Sequence, residues 1–156
     1  MNKPTFSLNR QDKALETLVR DADKQTLAGW AFACAERVLP YFDGLYPDDK
    51  RPREALETLQ EWINTGHFSM KVIRGAALAS HAAAREVGED NAARSAARAA
   101  GQAVSTAHVK EHALAASYYA LQAVFRNNFE NKPEEAVAAE REWQFHNLLT
   151  QLGKDI

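Results

Sequence analysis

Two histidines four residues apart are the first candidates for chemistry in this sequence. His108 and His112 belong to a segment, residues 108–112, that matches the H-x-x-E-H pattern of one class of zinc metalloproteases. On a helix this spacing places both imidazoles on one face, where they can bind one zinc ion while the glutamate acts as a base. A third ligand is also needed, and Glu140 is a conceivable one. The alternative, which the shortness of the pattern favours, is that both histidines make hydrogen bonds between helices.

A second candidate is a stripe of polar residues within an alanine-rich part of the chain. Its members recur at helical spacing on three predicted helices: His81 on the fourth, Arg94, Arg98 and Gln102 on the fifth, and His108, His112, Tyr119 and Gln122 on the sixth. Closely packed helices that carry these groups could line a small pocket or a groove. The alternative is a set of buried hydrogen bonds between helices, because an unpaired buried polar group costs about 1–3 kcal/mol. The second interpretation is favoured.

A third candidate is the charged segment that contains Asp48, Asp49, Arg51 and Arg53. Acidic residues before a helix interact favourably with its dipole, and Pro52 suits a first helical turn. Helix capping therefore accounts for most of the segment. Mixed charges on a rigid loop can also steer a partner and fix its register.

Several functions are disfavoured by what the sequence lacks. It has no glycine-rich phosphate loop, no G-x-S-x-G motif and only one cysteine. The net charge is −2, and acidic residues interrupt the basic strip that runs from Arg74 to Arg98, so no nucleic-acid partner is expected. Cys34 lies in an apolar run and is expected to be a buried, unreactive side chain.

The expected location is the cytoplasm. No segment approaches the roughly 18 apolar residues that span a bilayer, so no membrane partner is predicted. The N-terminal residues lack the apolar stretch of a signal peptide. A single cysteine also suits a reducing compartment.

The elements that must position these residues are helices throughout. Glycines and prolines divide residues 1–156, a length typical of one domain, into about seven helix-length segments. The sequence therefore predicts a single all-α domain, with helices over residues 10–21 capped by Asn9, 24–39 capped by Asp23 and kinked or ended by Pro40, 52–65 ended by Gly66, about 70–88 capped by Ser69, 91–105 capped by Asp90, 107–127, and 133–153. Residues 41–50 are expected to form a loop.

Alanine dominates the segment from Arg74 to Ala123. Alanine has the highest helix propensity, and its small side chain lets helix axes approach closely. Because small residues occur on more than one face of these helices, the sequence predicts Ala-rich central helices that are surrounded by others.

Several segments together resemble the bacterial putative immunity proteins of the immunity-protein-five-like group. The likeness runs in order from about Leu27 to Leu149, and its most specific parts are the Asp-Asp-x-Arg-Pro-Arg loop at residues 48–53 and the Thr-Ala-His-Val segment at 106–109. Residues 34–40, 46–56, 81–85, 99–109, 112–113, 118–121 and 140–144 carry the rest. We expect residues 23–153 to form the immunity-like core and residues 1–22 to form a variable N-terminal helix.

The resemblance implies a cytoplasmic, non-enzymatic helical protein that binds and neutralises a cognate or kin bacterial toxin, without a cofactor or a metal. Tight binding of this kind typically depends on a few aromatic or arginine anchors. The candidates are Arg51, Arg53, Trp62, His67 and Phe68, beside two loops that are expected at one end of the bundle.

Two alternatives remain open from the sequence. One is a small-molecule-binding or metal-dependent enzyme that uses a pocket between helices lined by His81, His108 and His112. The other is a structural homo-oligomer that pairs through its alanine faces.

Overall fold

The computed structural model describes Phe6 and residues 13–154, which contain seven α-helices and no strand. The helices are α1 (Lys13–Asp21), α2 (Lys24–Asp43), α3 (Arg51–Thr65), α4 (Met70–Glu86), α5 (Ala92–Ser105), α6 (His112–Asn127) and α7 (Pro133–Gln151). The predicted all-α class is therefore confirmed. In this part of the chain no helix has both the length and the apolar character needed to cross a membrane.

Helix α5 lies at the centre, where α2, α3, α4 and α6 all pack against it. Nine of its 14 residues are buried, and the largest of them is a valine: Ala93, Ser95, Ala96, Ala97, Ala99, Ala100, Gly101, Ala103 and Val104. Small side chains on every face let four neighbours approach one helix closely. One hydrophobic cluster includes residues from all seven helices. The alanine faces of α5 are covered by the chain's own helices.

Buried polar groups join α7 to the rest of the core. The indole Nε1 of Trp30 on α2 donates to the carbonyl oxygen of Gln144 at 2.8 Å. The side-chain amide of Gln144, itself buried, donates to the carbonyl oxygen of Ser117 on α6 at 3.1 Å. These two contacts hold α7 on α2 and α6 and satisfy groups that would otherwise be unpaired.

Cys34 is fully buried in the α2 part of the core. Burial raises the pKa of its thiol well above the ordinary value. A thiol in this state is protonated and inaccessible, so the expectation of a buried, unreactive cysteine agrees with the structure.

Helix starts and ends follow local hydrogen bonds. The Asp23 and Ser69 side chains accept from the amides of Thr26 and Val72, and Gly66 ends α3 with a φ of 71°. These three predictions are confirmed. The predicted cap of α5, Asp90, is wrong by one residue. Asn91 accepts from the Arg94 amide, while the Asp90 carboxylate binds the Arg94 side chain at 2.7 Å.

Two further boundaries differ from the prediction. Helix α2 does not end at Pro40 but continues to Asp43, because burial of Leu39 and Phe42 compensates for the missing proline amide hydrogen. Helix α6 begins at His112 rather than Ala107, because residues 106–111 form the turn that lets α6 fold back against α5. The predicted cap Asn9 and the start of α1 at residue 10 lie outside the described residues.

The close packing around α5 yields a stability prediction. Replacing Ala100, which is completely buried, with leucine inserts three carbon atoms where no space exists. We expect Ala100→Leu to lower the free energy of unfolding by about 1–3 kcal/mol or more. The same change at the exposed Ala139 on α7 is the control and should alter it by no more than about 0.5 kcal/mol. Urea unfolding measures both, and equal effects would contradict the packing described for α5.

Candidate functional site

Large apolar side chains are exposed mainly around the first half of α4. Among the described residues, six large hydrophobic side chains are exposed, and five of them lie on this helix or beside it: Phe68, Met70, Val72, Leu78 and Val109. We call these five residues the α4 surface. The sixth, Leu45, lies in the turn before α3. A single exposed hydrophobic residue is ordinary, but a group of them is typical of an interaction site.

Helix α4 exposes this surface because it packs mainly against α3 and α5, and no other described helix covers its outer side. Residues at helical spacing form that outer side: Lys71, Arg74, Gly75, Leu78 and Arg85 are all exposed. None of the three cations makes an ion pair within the described part of the chain. The outer side of α4 is therefore both apolar and basic.

Two adjoining cavities open at the α4 surface and share Ile73. The first, of about 330 Å³, lies against α4, α5 and α6, and its walls are Met70, Ile73, Arg74, Ala77, Leu78, His81, Ser105, His108 and His112. We call it the histidine cavity. The second, of about 360 Å³, is lined by Thr58, Glu61, Trp62, Thr65, His67, Ser69, Val72 and Ile73. Both are open to the surface, so side chains of a partner could enter them.

The His81 ring occupies the space that Gly101 leaves empty on α5. A Cβ atom at position 101 would lie 2.7 Å from Cε1 and 2.8 Å from Nε2 of the imidazole. The Nδ1 atom of His81 is buried and has no hydrogen-bond partner among Phe6 and residues 13–154. Burial is the main cause that lowers the pKa of His81 to about 4, and the charges of Arg98 and Arg85 lower it further. At neutral pH this imidazole is uncharged.

The other two histidines approach the cavity from the far side. His112 begins α6, and its Nδ1 lies 2.8 Å from Oε1 of Gln102 on α5. Burial, followed by the charge of His108, lowers the pKa of His112. The His108 ring stacks on Phe68 with 6.1 Å between ring centroids. Because His108 lies in the turn before α6, the expectation that both histidines share one helix face is wrong.

The structure does not assemble the proposed zinc site. Glu140, the conceivable third ligand, accepts two hydrogen bonds from Arg37 at 2.7 and 2.9 Å, and the Arg37 guanidinium lies 3.9 Å above the ring of Trp143. Glu140 therefore joins α7 to α2 and is already neutralised. Within Phe6 and residues 13–154, no group of three or more His, Cys, Asp or Glu side chains is arranged to hold a metal ion.

The charged side chains at the start of α3 form ion pairs with other residues of the same chain. Arg51 pairs with Asp49 and with Glu86 at the end of α4, and Arg53 pairs with Asp43 at 3.1 Å. Arg51 also lowers the pKa of the Asp49 carboxyl. Asp48 is exposed. The loop thus connects the start of α3 to the ends of α2 and α4.

The sequence suggested that the candidate anchors lie at one end of the bundle, but the structure places them in two separate groups. Arg51 and Arg53 begin α3, whereas His67 and Phe68 follow its end, and a helix of 15 residues separates the two groups by about 20 Å. Trp62 and His67 line the second cavity, next to Phe68. The aromatic anchors therefore belong with the α4 surface, and the arginine anchors do not.

Some residues of the polar stripe line a cavity, and others make hydrogen bonds between helices. His81, His108 and His112 border one cavity, with Arg98 close to His81. Gln122 instead accepts from the Ser95 hydroxyl at 2.9 Å, which is the interhelical hydrogen bonding considered earlier. Tyr119 contacts the ring of Tyr118 and does not line the cavity.

Two residues of this site were not predicted from the sequence. Leu78 was not singled out, although its spacing from Lys71 and Arg74 places it on their exposed side of α4. Gly101 was noted only as part of an alanine-rich segment. No sequence signal could have paired it with His81, because that contact depends on the register between two helices.

The contact between His81 and Gly101 yields a second prediction. In Gly101→Ala the new methyl group must displace the imidazole toward solvent. Regained hydration should raise the pKa of His81 from about 4 to at least about 5.5. A proton NMR titration of the histidines measures this, and His81→Gln assigns the resonance.

The control is Gly75→Ala on the exposed side of α4, where a Cβ meets no atom within 4 Å. It should leave the pKa of His81 unchanged and add about 0.5–1 kcal/mol of stability. Since His81 binds its proton less tightly in the folded protein than in the unfolded chain, stability falls as the pH drops from about 6.5 to about 4. This fall should be smaller in Gly101→Ala, and an unchanged pKa would refute the contact.

Comparison with known proteins gave one match. A family model described as Imm-5 like putative immunity protein matches residues 17–151. Searches of curated proteins and of solved structures found no match.

Proposed function

The chain belongs to the Imm-5 like putative immunity protein family, since the match spans most of its length, and we propose that it binds a protein toxin of its own or a kin bacterium. Binding neutralises the toxin, and the chain itself performs no reaction. The complex forms in the cytoplasm of the cell that the chain protects.

The α4 surface is the observation that carries this proposal. It combines exposed apolar side chains with two open cavities. Phe68, exposed by 47%, lies in the chain between His67 of one cavity and Met70 of the other, and its ring stacks on that of His108 in the turn before α6. The Lys24 Nζ atom lies 6.0 Å from the centroid of the Phe68 ring and 5.9 Å from that of Trp62. Aromatic anchors between pockets and a charged edge are typical of the centre of protein interfaces.

The state of His81 favours binding over catalysis. A histidine that acts as a general base is commonly oriented by a carboxylate or another acceptor on its second nitrogen. Among the described residues the buried Nδ1 atom of His81 has no such partner, although the Nδ1 atom of His112 lies 2.8 Å from Oε1 of Gln102. The cavity lining includes no carboxylate either. These features support a site that binds side chains of a partner.

A growth assay tests the proposal. Candidate toxins encoded by the genes next to that of this chain are expressed in a host with and without the chain. We expect the wild-type chain to restore growth and the double variant Phe68→Asp, Leu78→Asp to fail, because two carboxylates would have to be desolvated at the centre of the interface. Calorimetry on the purified pair should show at least about a 100-fold loss of affinity.

The matched control is Leu45→Asp, which alters an exposed hydrophobic residue (62%) at the opposite end of α3. It should protect as well as the wild type. Circular dichroism checks that every variant folds. Absence of protection by the wild type would contradict the proposed function. Full protection by a folded double variant would exclude the α4 surface as the binding site.

A further inference from the structure

The histidine cavity has an uneven distribution of charge. Arg74 lies in its wall, and Arg85 and Arg98 are close enough to His81 for their charges to lower its pKa. None of these three arginines has an ion-pair partner in the portion of the chain that the structure describes. The lining of the cavity includes no Asp or Glu side chain, and Glu111, in the turn before α6, acts on His112. Unpaired positive charge therefore lies in the cavity wall, at Arg74, and close to His81.

Part of the cavity wall is apolar. Met70, Ile73, Ala77 and Leu78 supply it, beside Arg74 on the same helix, and two of them, Met70 and Leu78, are exposed by 42% and 56%. A ligand that fits both the apolar residues and the cations needs an aliphatic part of a few carbon atoms that ends in an anionic group. A glutamate side chain has this composition.

The unpaired nitrogen of His81 is the second sign of an incomplete site. A buried polar atom without a partner is costly, and native proteins retain few of them. Gly101 allows the ring to take this position, where it faces Arg85 from its own helix, Arg98 from α5 and His112 from α6. Arg74 and His108 face the same cavity. An anion here would offset the repulsion among these groups.

We infer that the histidine cavity receives an acidic side chain of the toxin, with its aliphatic part against Met70, Ile73 and Leu78 and its carboxylate held by Arg98, Arg74 and His81. The inference rests on the proposed function and adds the chemistry of the partner's contact residue. His81 takes one proton from solvent when the carboxylate enters, because the new negative charge favours the imidazolium form. Binding is therefore tighter at pH 6 than at pH 8.

A protein carboxylate fits this site better than a nucleic-acid phosphate. A phosphodiester would meet the cations but leave the apolar wall against water. Phe68, whose ring stacks on that of His108, and Val72 on α4 expose further apolar surface near the cavity, whereas nucleic-acid interfaces are mainly polar and basic.

The test uses hexanoate as the probe and hexanamide, which has the same carbon skeleton without the charge, as its control. Proton NMR follows the His81 resonance of the wild-type chain at constant ionic strength. We expect hexanoate to shift this resonance and to raise the pKa of His81 from about 4 to at least about 6.5, so that the bound imidazole is protonated at pH 6, and hexanamide to do neither. Arg98→Gln should weaken the response to hexanoate at least threefold, and Arg74→Gln should act in the same direction.

The matched control is Lys132→Gln, which removes a cation before α7, a helix that packs on α2 and α6. It should leave the response to hexanoate unchanged. An equal response to hexanoate and hexanamide would overturn the inference, because the cavity would then bind only the apolar part. So would the absence of any response, or a response of His81 to a twelve-residue thymidine oligonucleotide but not to hexanoate.

These outcomes differ from those that decide the proposed function. Toxin binding that is lost in the Phe68→Asp, Leu78→Asp variant but unaffected by Arg98→Gln and by pH would preserve the immunity function and overturn the carboxylate site. A specific response to hexanoate in a chain that gives no protection would preserve the carboxylate site and overturn the immunity function.

Discussion

The structure depends on how closely four helices approach α5. No side chain on the buried faces of α5 is larger than valine, so α2, α3, α4 and α6 can all pack against a helix of only 14 residues. The same smallness creates the candidate site. At Gly101 the missing side chain leaves room for the His81 imidazole, which forms part of the wall between α4 and α5. The alanine-rich centre is thus both the scaffold and the base of the cavity, whereas the sequence had suggested one or the other.

Helix α4 has a different role because only one side of it is buried. It contributes Ile73, Ala77, Ser80, Ala83 and Ala84 to the core, and the Ser80 hydroxyl donates to the carbonyl oxygen of Ala97 on α5 at 2.8 Å. Its other side carries Leu78 and unpaired cations. A rigid helix that is held firmly on one side and uncovered on the other can bind a partner with little loss of conformational entropy. This arrangement suits the non-catalytic toxin binding proposed for a member of an immunity protein family.

Local chemistry explains which features could be predicted from the sequence. The caps at Asp23 and Ser69 and the end of α3 at Gly66 depend on hydrogen bonds or backbone angles within a few residues. The continuation of α2 past Pro40 depends on tertiary burial of Phe42, and the turn before α6 depends on how that helix folds back. The helical spacing in the sequence suggested that His81 and His112 line one pocket. The contact of Gly101 with His81 depends instead on the register between α4 and α5. The exposure of Leu78 depends on the absence of a neighbour, which local pattern does not specify.

Amide hydrogen exchange on the complex with the toxin that the growth assay identifies tests the central claim most directly. The account predicts slower exchange in residues 66–82 and 105–112, which contain the α4 surface and the turn that carries His108, with little change in α7. Slower exchange confined to α7 and α1, with residues 66–82 unchanged, would contradict it.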